Sequence, residues 1–335
     1  KVVRGGEAVL SSFWASHIKG DTAIVRLYST NASGAWGFKI DKWAHGYEPY
    51  LIQEIMGVGN NAETICGSDD KQWAKCYNGT TIYDKSKTVA RLRINAIYEC
   101  TGWLLGSEDH LMTNNHCIAS QLDAANTDYE FMAEGSTCST SCTAWFACPG
   151  TVEATSGTLV KTNYGLDYAL VRLPTNLTAK YGYLQFRNTL PVIGERIYIP
   201  QHASAKGKQI AVNDDLSGGY CKVTTTSITS VHSSPAIGYQ CDTEVGSSGS
   251  PVIAYNDHLV VALHNGGGCN SNGGVKIPNI ITDLGFNLPA DAVGGSVAPP
   301  SIPKLVYPAN GQTGLGTTVE FRWKKSSDPD GDTVT

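Results

Sequence analysis

The most chemically suggestive stretch of the sequence is DTEVGSSGSPV, residues 242–252, where small residues run from Gly246 to Ser250 and end at a proline. Glycines permit backbone angles closed to other residues and let N–H groups approach a ligand. The stretch is therefore either an ordinary Gly/Ser turn or a nucleophile loop. In such a loop Ser248 is exposed and the N–H groups of Gly246 and Ser248 converge on a developing oxyanion. The stretch alone leaves both interpretations open.

A histidine that could act as a general base ends the stretch ECTGWLLGSEDHLMTNNHC, residues 99–117. The pattern predicts a strand, a turn, a returning strand and then the pair His116–Cys117. A disulfide between Cys100 and Cys117 across this hairpin would pin the loop that carries His116. Taken alone, a histidine beside a cysteine is better explained by a structural or exposed role.

An aspartate stands at the head of an apolar strand in YGLDYALVRL, residues 164–173. Taken alone, Asp167 is better explained as a turn residue that starts the strand. Burial of a carboxylate is costly unless it meets a hydrogen-bonded partner, such as an imidazole N–H. Asp167 is thus a candidate partner for a histidine.

In this order, TNNHC, LDYALVRL and GSSGSP resemble the motifs of the chymotrypsin/trypsin-like serine proteases. The resemblance implies an all-β fold of two six-stranded antiparallel β-barrels with a catalytic cleft between them. It also implies that His116, Asp167 and Ser248 form the catalytic triad, with Gly246 and Ser248 as the oxyanion hole. The reaction would be hydrolysis of peptide bonds through an acyl-enzyme, without a metal or organic cofactor.

The motifs resemble most the secreted bacterial lysyl and glutamyl endopeptidases, through TEVGSSGSP and the histidine of LHNGGG. Asp242 has the spacing of the aspartate by which trypsin selects Arg or Lys before the scissile bond, the P1 residue, although a disulfide at Cys241 could turn it away. Thr243 and His264 match the pair that binds an acidic P1 residue in the glutamyl branch. A buried Asp242 carboxylate would repel a glutamate, so we predict a basic P1 residue and keep an acidic one as the alternative. The expected substrate-binding residues are Asp242, Thr243, His264, Asn265, Gly266 and Gly267.

Ten cysteines without paired Cys-x-x-Cys spacings favour disulfides in an oxidising compartment over structural zinc. We therefore expect a secreted protein, extracellular, periplasmic or at the cell surface. The lysyl branch further implies the pairings Cys66–Cys269, Cys76–Cys138 and Cys100–Cys117, which leaves Cys142–Cys148 and Cys221–Cys241.

The charge and hydropathy of the chain argue against nucleic acid binding and against a membrane span. A net charge of −5 without any Lys/Arg-rich run argues against nucleic acid. The longest apolar runs, such as LVVAL at residues 259–263, are far shorter than the roughly 20 residues of a membrane span. Protein or peptide substrates are the expected partners.

Short runs rich in Val, Ile, Thr and Tyr between turn signals predict strands throughout the chain. Residues 1–62, which lack cysteine, are interpreted as an accessory or propeptide-like segment, and residues 63–287 as the protease domain. Residues 288–300 read as a Gly/Pro/Ala linker. Residues 301–335 resemble the start of a fibronectin type III or immunoglobulin-like module, which needs about 100 residues, and which could target a surface or polymer.

Two alternatives to an active protease stay open. The first is a latent precursor in which residues 1–62 cover the cleft. The second is a binding protein that keeps the fold without turnover. A lost triad residue is the usual mark of such a protein, and here all three are present.

Overall fold

The computed structural model describes residues 67–96, 98–230, 235–268, 271–294, 304–309, 311–314 and 316–324, together with Thr22, Ile24, Ile40 and Ile65. The chain divides into two compact units, Lys1–Ala292 and Val293–Thr335. The predicted accessory segment, residues 1–62, lies outside the described residues except at three positions.

The first unit consists mainly of short strands. In chain order they are β1 (Gln72–Trp73), β2 (Val89–Ile94), β3 (Tyr98–Leu105), β4 (His110–Thr113), β5 (Thr127–Phe131), β6 (Thr151–Ala154), β7 (Thr158–Asn163), β8 (Tyr168–Arg172), β9 (Phe186–Arg187), β10 (Ile197–Gln201), β11 (Gln209–Ala211), β12 (Lys222–Ile228), β13 (Ala236–Gln240), β14 (Pro251–Ala254), β15 (Val260–Gly268) and β16 (Ser271–Lys276).

The described helices of this unit are short. They are α1 (Thr81–Ser86), α2 (Gln121–Ala125), α3 (Thr178–Tyr181) and α4 (Ile277–Leu284), with 3-10 turns at Ala74–Tyr77, Ala203–Ala205 and Gly285–Asn287. Local sequence explains where two of them begin: the Thr80 side chain accepts the N–H of Tyr83, and Ser120 forms a capping box with Asp123.

The first sheet contains seven antiparallel strands in the order β6-β5-β2-β3-β4-β8-β7. In its centre Leu92 pairs with Cys100 on one side and with Tyr129 on the other. These residues belong to a core that also includes Leu104 and Val171, both fully buried. The strand β8, which follows Asp167, lies beside β4, which leads to His116.

The second sheet has the strand order β1-β11-β10-β14-β15-β16-β13-β12, and β9 pairs in parallel with β15. Its buried core includes Ile199, Val252 and Val261. The segment with Ser248 lies between β13 and β14, and β15 pairs with β16 beyond it. This sheet therefore carries the candidate nucleophile and the candidate substrate-binding residues.

The predicted class is confirmed: the fold is all-β and consists of two curled antiparallel sheets. The first sheet has seven strands where six were expected, and the second has more than six because very short strands such as Gln72–Trp73 and Phe186–Arg187 extend it. Of the predicted strand YALVRL, the residues Tyr168–Arg172 form β8.

Arg91 of β2 links the first sheet to the segment between β10 and β11 of the second sheet. Its Nε donates to the Glu130 carboxylate at 2.9 Å within the first sheet. Its Nη1 donates to the carbonyl of Ala205, which follows β10, at 2.8 Å. The guanidinium is 1% exposed, so both contacts are shielded from water.

Four disulfides join described cysteines, in the pairings that the resemblance implies: Cys76–Cys138, Cys100–Cys117, Cys142–Cys148 and Cys221–Cys241. Such bonds limit the freedom of the unfolded chain and so stabilise a fold. Cys66 and Cys269, for which a fifth pairing is predicted, lie outside the described residues.

In the second unit the described strands are β17 (Val293–Gly294), β18 (Lys304–Tyr307) and β19 (Arg322–Lys324). β18 and β19 are antiparallel, and Leu305 pairs with Trp323. The predicted linker is described only at residues 288–294, and the predicted fibronectin-like module only in part. Within the described residues of the chain, no helix is both long and apolar enough to cross a bilayer.

Candidate active site

The Asp167 carboxylate is paired with the His116 imidazole. His116 Nδ1 lies 2.9 Å from one carboxylate oxygen and 3.1 Å from the other, and the backbone N–H of His116 donates to the same carboxylate at 3.0 Å. Asp167 is 2% exposed, so the imidazole supplies the partner that a buried carboxylate requires. With Nδ1 carrying the proton, Nε2 is the nitrogen that can accept another.

The loop that carries His116 is fixed on both sides. The Asn114 side chain donates to the Asp167 carbonyl at 2.8 Å. On the other side Cys117 is bonded to Cys100 of β3. A His116 nitrogen and the two sulfurs lie within 4.8 Å of one another, as metal ligands could, but both sulfurs are used by the disulfide. This arrangement holds the imidazole and offers no thiolate.

The segment Gly246–Ser250 forms a tight turn, as a nucleophile loop requires. The Ser247 N–H donates to the Glu244 carbonyl at 2.9 Å, and the Ser250 N–H donates to the Ser247 carbonyl at 3.0 Å. Gly246 has φ = 93°, in the region that favours glycine. The Ser248 residue between these bonds is half-buried.

The N–H groups of Gly246 and Ser248 are predicted to form the oxyanion hole. The N–H of Ser247, which lies between them, is used by its hydrogen bond to Glu244. Among the described residues, no group accepts a hydrogen bond from either of them. Two free backbone donors on either side of a bonded one could bind an oxyanion.

Contacts with β3 bring this turn to the first sheet. The Thr101 N–H donates to the Ser248 carbonyl at 2.9 Å, and the Thr101 hydroxyl donates to the Gly246 carbonyl at 2.9 Å. A Cβ at Gly249 would lie 2.2 Å from the Thr101 carbonyl, so only glycine fits there. Thr101 follows Cys100, which is bonded to Cys117 next to His116, so the Ser248 turn and the loop that carries His116 contact adjacent residues of β3.

Asp242 does not present a free carboxylate. It is 2% exposed, and its Oδ2 accepts the backbone N–H of Asp70 at 2.7 Å. The neighbouring Cys241 is bonded to Cys221, and the Asp242 carbonyl accepts from the Gln201 side chain at 2.9 Å. These contacts hold Asp242 toward the segment before β1.

Thr243 and His264, the other specificity candidates, are completely buried. The Thr243 hydroxyl donates to Asn272 Oδ1 at 3.1 Å. His264 Nδ1 is hydrogen-bonded to the Tyr239 hydroxyl, which itself donates to the Gly273 carbonyl at 3.1 Å. The imidazole Nδ1–H is therefore the donor to Tyr239, because that hydroxyl has one proton.

The residues predicted to bind the substrate backbone lie in β15. On one side Gly266 and Gly267 pair with Gly273 and Asn272 of β16, while the described ladder with β14 ends at Leu263. Asn272, which also contacts Gly267, was not among the predicted site residues.

Comparisons with known proteins identify the domain to which these residues belong. A model of the trypsin-like peptidase domain matches residues 100–263. The secreted RxLR effector protein 73 of Plasmopara viticola is 40% identical over 295 residues, which cover 84% of this chain and 71% of the effector. The chain belongs to the trypsin-like peptidase family.

The solved structures similar to this chain have lower sequence identity to it than the effector has. A Glu endopeptidase is 18% identical with a TM-score of 0.46, and the match covers 67% of this chain and 98% of that one. The active form of the Rv3671c protease of M. tuberculosis is 13% identical with a TM-score of 0.45, covering 70% and 94%.

Proposed function

We propose that this chain is a secreted serine endopeptidase with Ser248 as nucleophile, His116 as general base and Asp167 as the carboxylate that orients it. The observation that carries the proposal is the pair of His116 Nδ1 and the buried Asp167 carboxylate, 2.9 Å apart, in the region of the Ser248 turn. Secretion is supported by the four described disulfides, and the effector relative is named as secreted.

The proposed reaction follows from these roles. His116 Nε2 takes the proton of the Ser248 hydroxyl while its oxygen attacks the peptide carbonyl, and the resulting imidazolium is stabilised by Asp167. The N–H groups of Gly246 and Ser248 bind the oxyanion of the tetrahedral intermediate. The imidazolium then protonates the leaving amine, and water hydrolyses the acyl-enzyme by the same steps.

Two P1 preferences follow from the specificity candidates. A basic P1 residue requires the Asp242 carboxylate to face the substrate. An acidic P1 residue requires contacts with Thr243 and His264. The basic preference uses the carboxylate of Asp242, which is buried and accepts a hydrogen bond from the Asp70 N–H. This contact favours the acidic preference as a second candidate.

Digestion of a peptide library, with each cleavage site identified by mass spectrometry, tests both parts of the proposal. We expect cleavage by the wild type and none by Ser248→Ala. Cleavage after Glu or Asp that is lost in Thr243→Val and kept in Asp242→Asn supports the acidic preference. Cleavage after Lys or Arg that is lost in Asp242→Asn supports the basic one.

If the wild type cleaves nothing, a form without residues 1–62 is assayed next. Activity of that form would identify the whole chain as a latent precursor. Its inactivity would contradict the proposed reaction and favour a binding protein with the protease fold. The second unit is proposed to direct the enzyme to a surface or polymer, which pull-down with and without residues 293–335 can test.

A further inference from the structure

A lysine is completely buried beside the nucleophile turn, in a segment that precedes both sheets in the chain. The side chain of Lys71 is 0% exposed, and its ammonium lies 3.2 Å from the Glu244 carboxylate and 2.8 Å from Asp69. A buried ammonium is costly unless it is paired. Glu244 is four residues before Ser248, so this pairing connects the segment before β1 with the turn.

The residue next to Lys71 makes a second contact with the same region. The backbone N–H of Asp70 donates to Asp242, two residues before Glu244. The Asp70 carboxylate in turn accepts the N–H of Asp215 at 2.6 Å. The segment Asp69–Lys71 is therefore held in place and fixes the chain before the turn at two points.

Glu244 itself shapes the turn. Its backbone N–H donates to the Ser247 hydroxyl at 3.0 Å, and its carbonyl accepts the Ser247 N–H at 2.9 Å. Its carboxylate also accepts from Lys206 and from the Ser204 hydroxyl. Burial raises the pKa of Glu244, but the charges of Lys71 and Lys206 outweigh it and hold this pKa below its usual value.

We propose that Lys71 is a positioning residue of the active site: its buried ammonium holds Glu244 and so fixes the turn that directs the N–H groups of Gly246 and Ser248. The inference rests on the proposed function and deepens it. Without the ammonium, the Glu244 carboxylate would keep only its contacts with the half-buried residues Lys206 and Ser204, and we expect it to shift toward them and away from the site that Lys71 had filled. The two N–H groups, two and four residues further along, would move with it.

The test compares Lys71→Met, Lys71→Arg, Glu244→Gln and the double variant Lys71→Met/Glu244→Gln by kcat and KM on a peptide that the wild type cleaves. We expect kcat of Lys71→Met to fall by about 100-fold, as for a misplaced catalytic group, with a smaller change in KM. Lys71→Arg should restore most of kcat, because it keeps the charge. The kcat of the double variant should exceed that of Lys71→Met by roughly 10-fold, because the carboxylate that loses its buried partner in Lys71→Met is then neutral.

Lys206→Met is the matched control, since Lys206 contacts the same carboxylate but is 21% exposed, where ion pairs contribute less. Its kcat should fall much less than that of Lys71→Met. Equal losses in the two variants, or a folded Lys71→Met with the kcat of the wild type, would overturn the proposal. If Lys71→Met does not fold, the double variant decides: a folded but inactive double variant overturns the proposal, and an active one supports it.

Hydrogen exchange of the peptide 242–252 gives a readout that does not need catalysis. Lys71→Met should exchange faster there than the wild type, while Lys206→Met should resemble the wild type; unchanged exchange in Lys71→Met contradicts the proposal. Reaction of wild-type Ser248 with a fluorophosphonate separates the two proposals. If neither the wild type nor the form without residues 1–62 reacts or cleaves, the proposed function fails, whereas the exchange result still tests Lys71.

Discussion

The Thr101 hydroxyl donates to the carbonyl of Gly246 at 2.9 Å and accepts the N–H of His202 at 3.1 Å. One side chain of the first sheet thus binds two backbone groups in loops of the second sheet. Both backbone groups belong to buried residues. A buried polar group that loses its partner costs about 1–3 kcal/mol.

We therefore expect Thr101→Val, which removes the hydroxyl and keeps the shape, to lower the free energy of unfolding by about 1–3 kcal/mol. It should also lower kcat by roughly 10-fold, because the Ser248 turn is displaced. Urea unfolding and peptide hydrolysis measure the two effects. Thr101→Ser keeps the hydroxyl and is the control; equal activity of the two variants would contradict this role.

Asp167→Asn should leave the fold intact and abolish most activity. The amide would favour the wrong tautomer of His116, and kcat should fall by about 10,000-fold, as expected for a triad carboxylate. Asp84→Asn is a suitable control, since the Asp84 side chain is 65% exposed and pairs with Lys87 on the surface. A kcat for Asp167→Asn within a few-fold of the wild type would argue against the proposed triad.

Two disulfides give contrasting predictions. Replacing Cys100 and Cys117 by alanine opens a bond that spans 17 positions beside His116, so we expect a loss of about 3 kcal/mol in stability together with a loss of kcat. Replacing Cys142 and Cys148 opens a bond that spans 6 positions, so we expect a loss of about 2 kcal/mol and little change in kcat. Thermal unfolding and peptide hydrolysis of both variants check this; equal kcat values would show that the first bond does not position His116.

Stability should depend on pH through Lys208, which is fully buried with its Nζ 3.7 Å from Glu134. Burial lowers the pKa of Lys208 from 10.5 to about 8, although the Glu134 charge opposes this. The charged lysine thus opposes folding below about pH 8. This cost disappears as the pH rises from about 8 to 10.5, because the native state has then released a proton that the unfolded chain still holds.

The measurement for this prediction is the difference in free energy of unfolding between the wild type and Lys208→Met, followed across that pH range. Relative to the variant, the wild type should gain up to roughly 1.4 kcal/mol per pH unit within the window. The comparison cancels the titration of distant groups. A difference that is flat with pH would mean that Lys208 keeps its ordinary affinity for protons.

Sequence patterns predicted the strands because a buried strand is visible locally as a short apolar run next to a turn signal, as in YALVRL. They also pointed to His116, Asp167 and Ser248, since each lies in a distinctive motif. Thr101, Lys71 and Glu244 were missed because ordinary residue types acquire their roles only through partners far away in the chain. Lys71 and Glu244, for example, are neighbours in space but not in sequence.

Asp242 shows how a long-range partner limits an argument from spacing. Its position relative to Ser248 suggested a free carboxylate in the specificity pocket. The structure adds a contact with the Asp70 N–H, 172 positions earlier, which occupies one oxygen of that carboxylate. Nothing near Asp242 in the sequence indicates this contact, because the donor is a backbone group that every residue except proline has.

The guanidinium of Arg91 is hydrogen-bonded to Glu130 in the first sheet and to the Ala205 carbonyl beside the second sheet. Unfolding of either sheet would therefore destabilise the other. If one half melted alone, a buried positive charge and its carboxylate would lose part of their shared environment. The two sheets should therefore melt cooperatively, in one calorimetric transition, and heat should not leave a half-folded enzyme that its own active copies could digest.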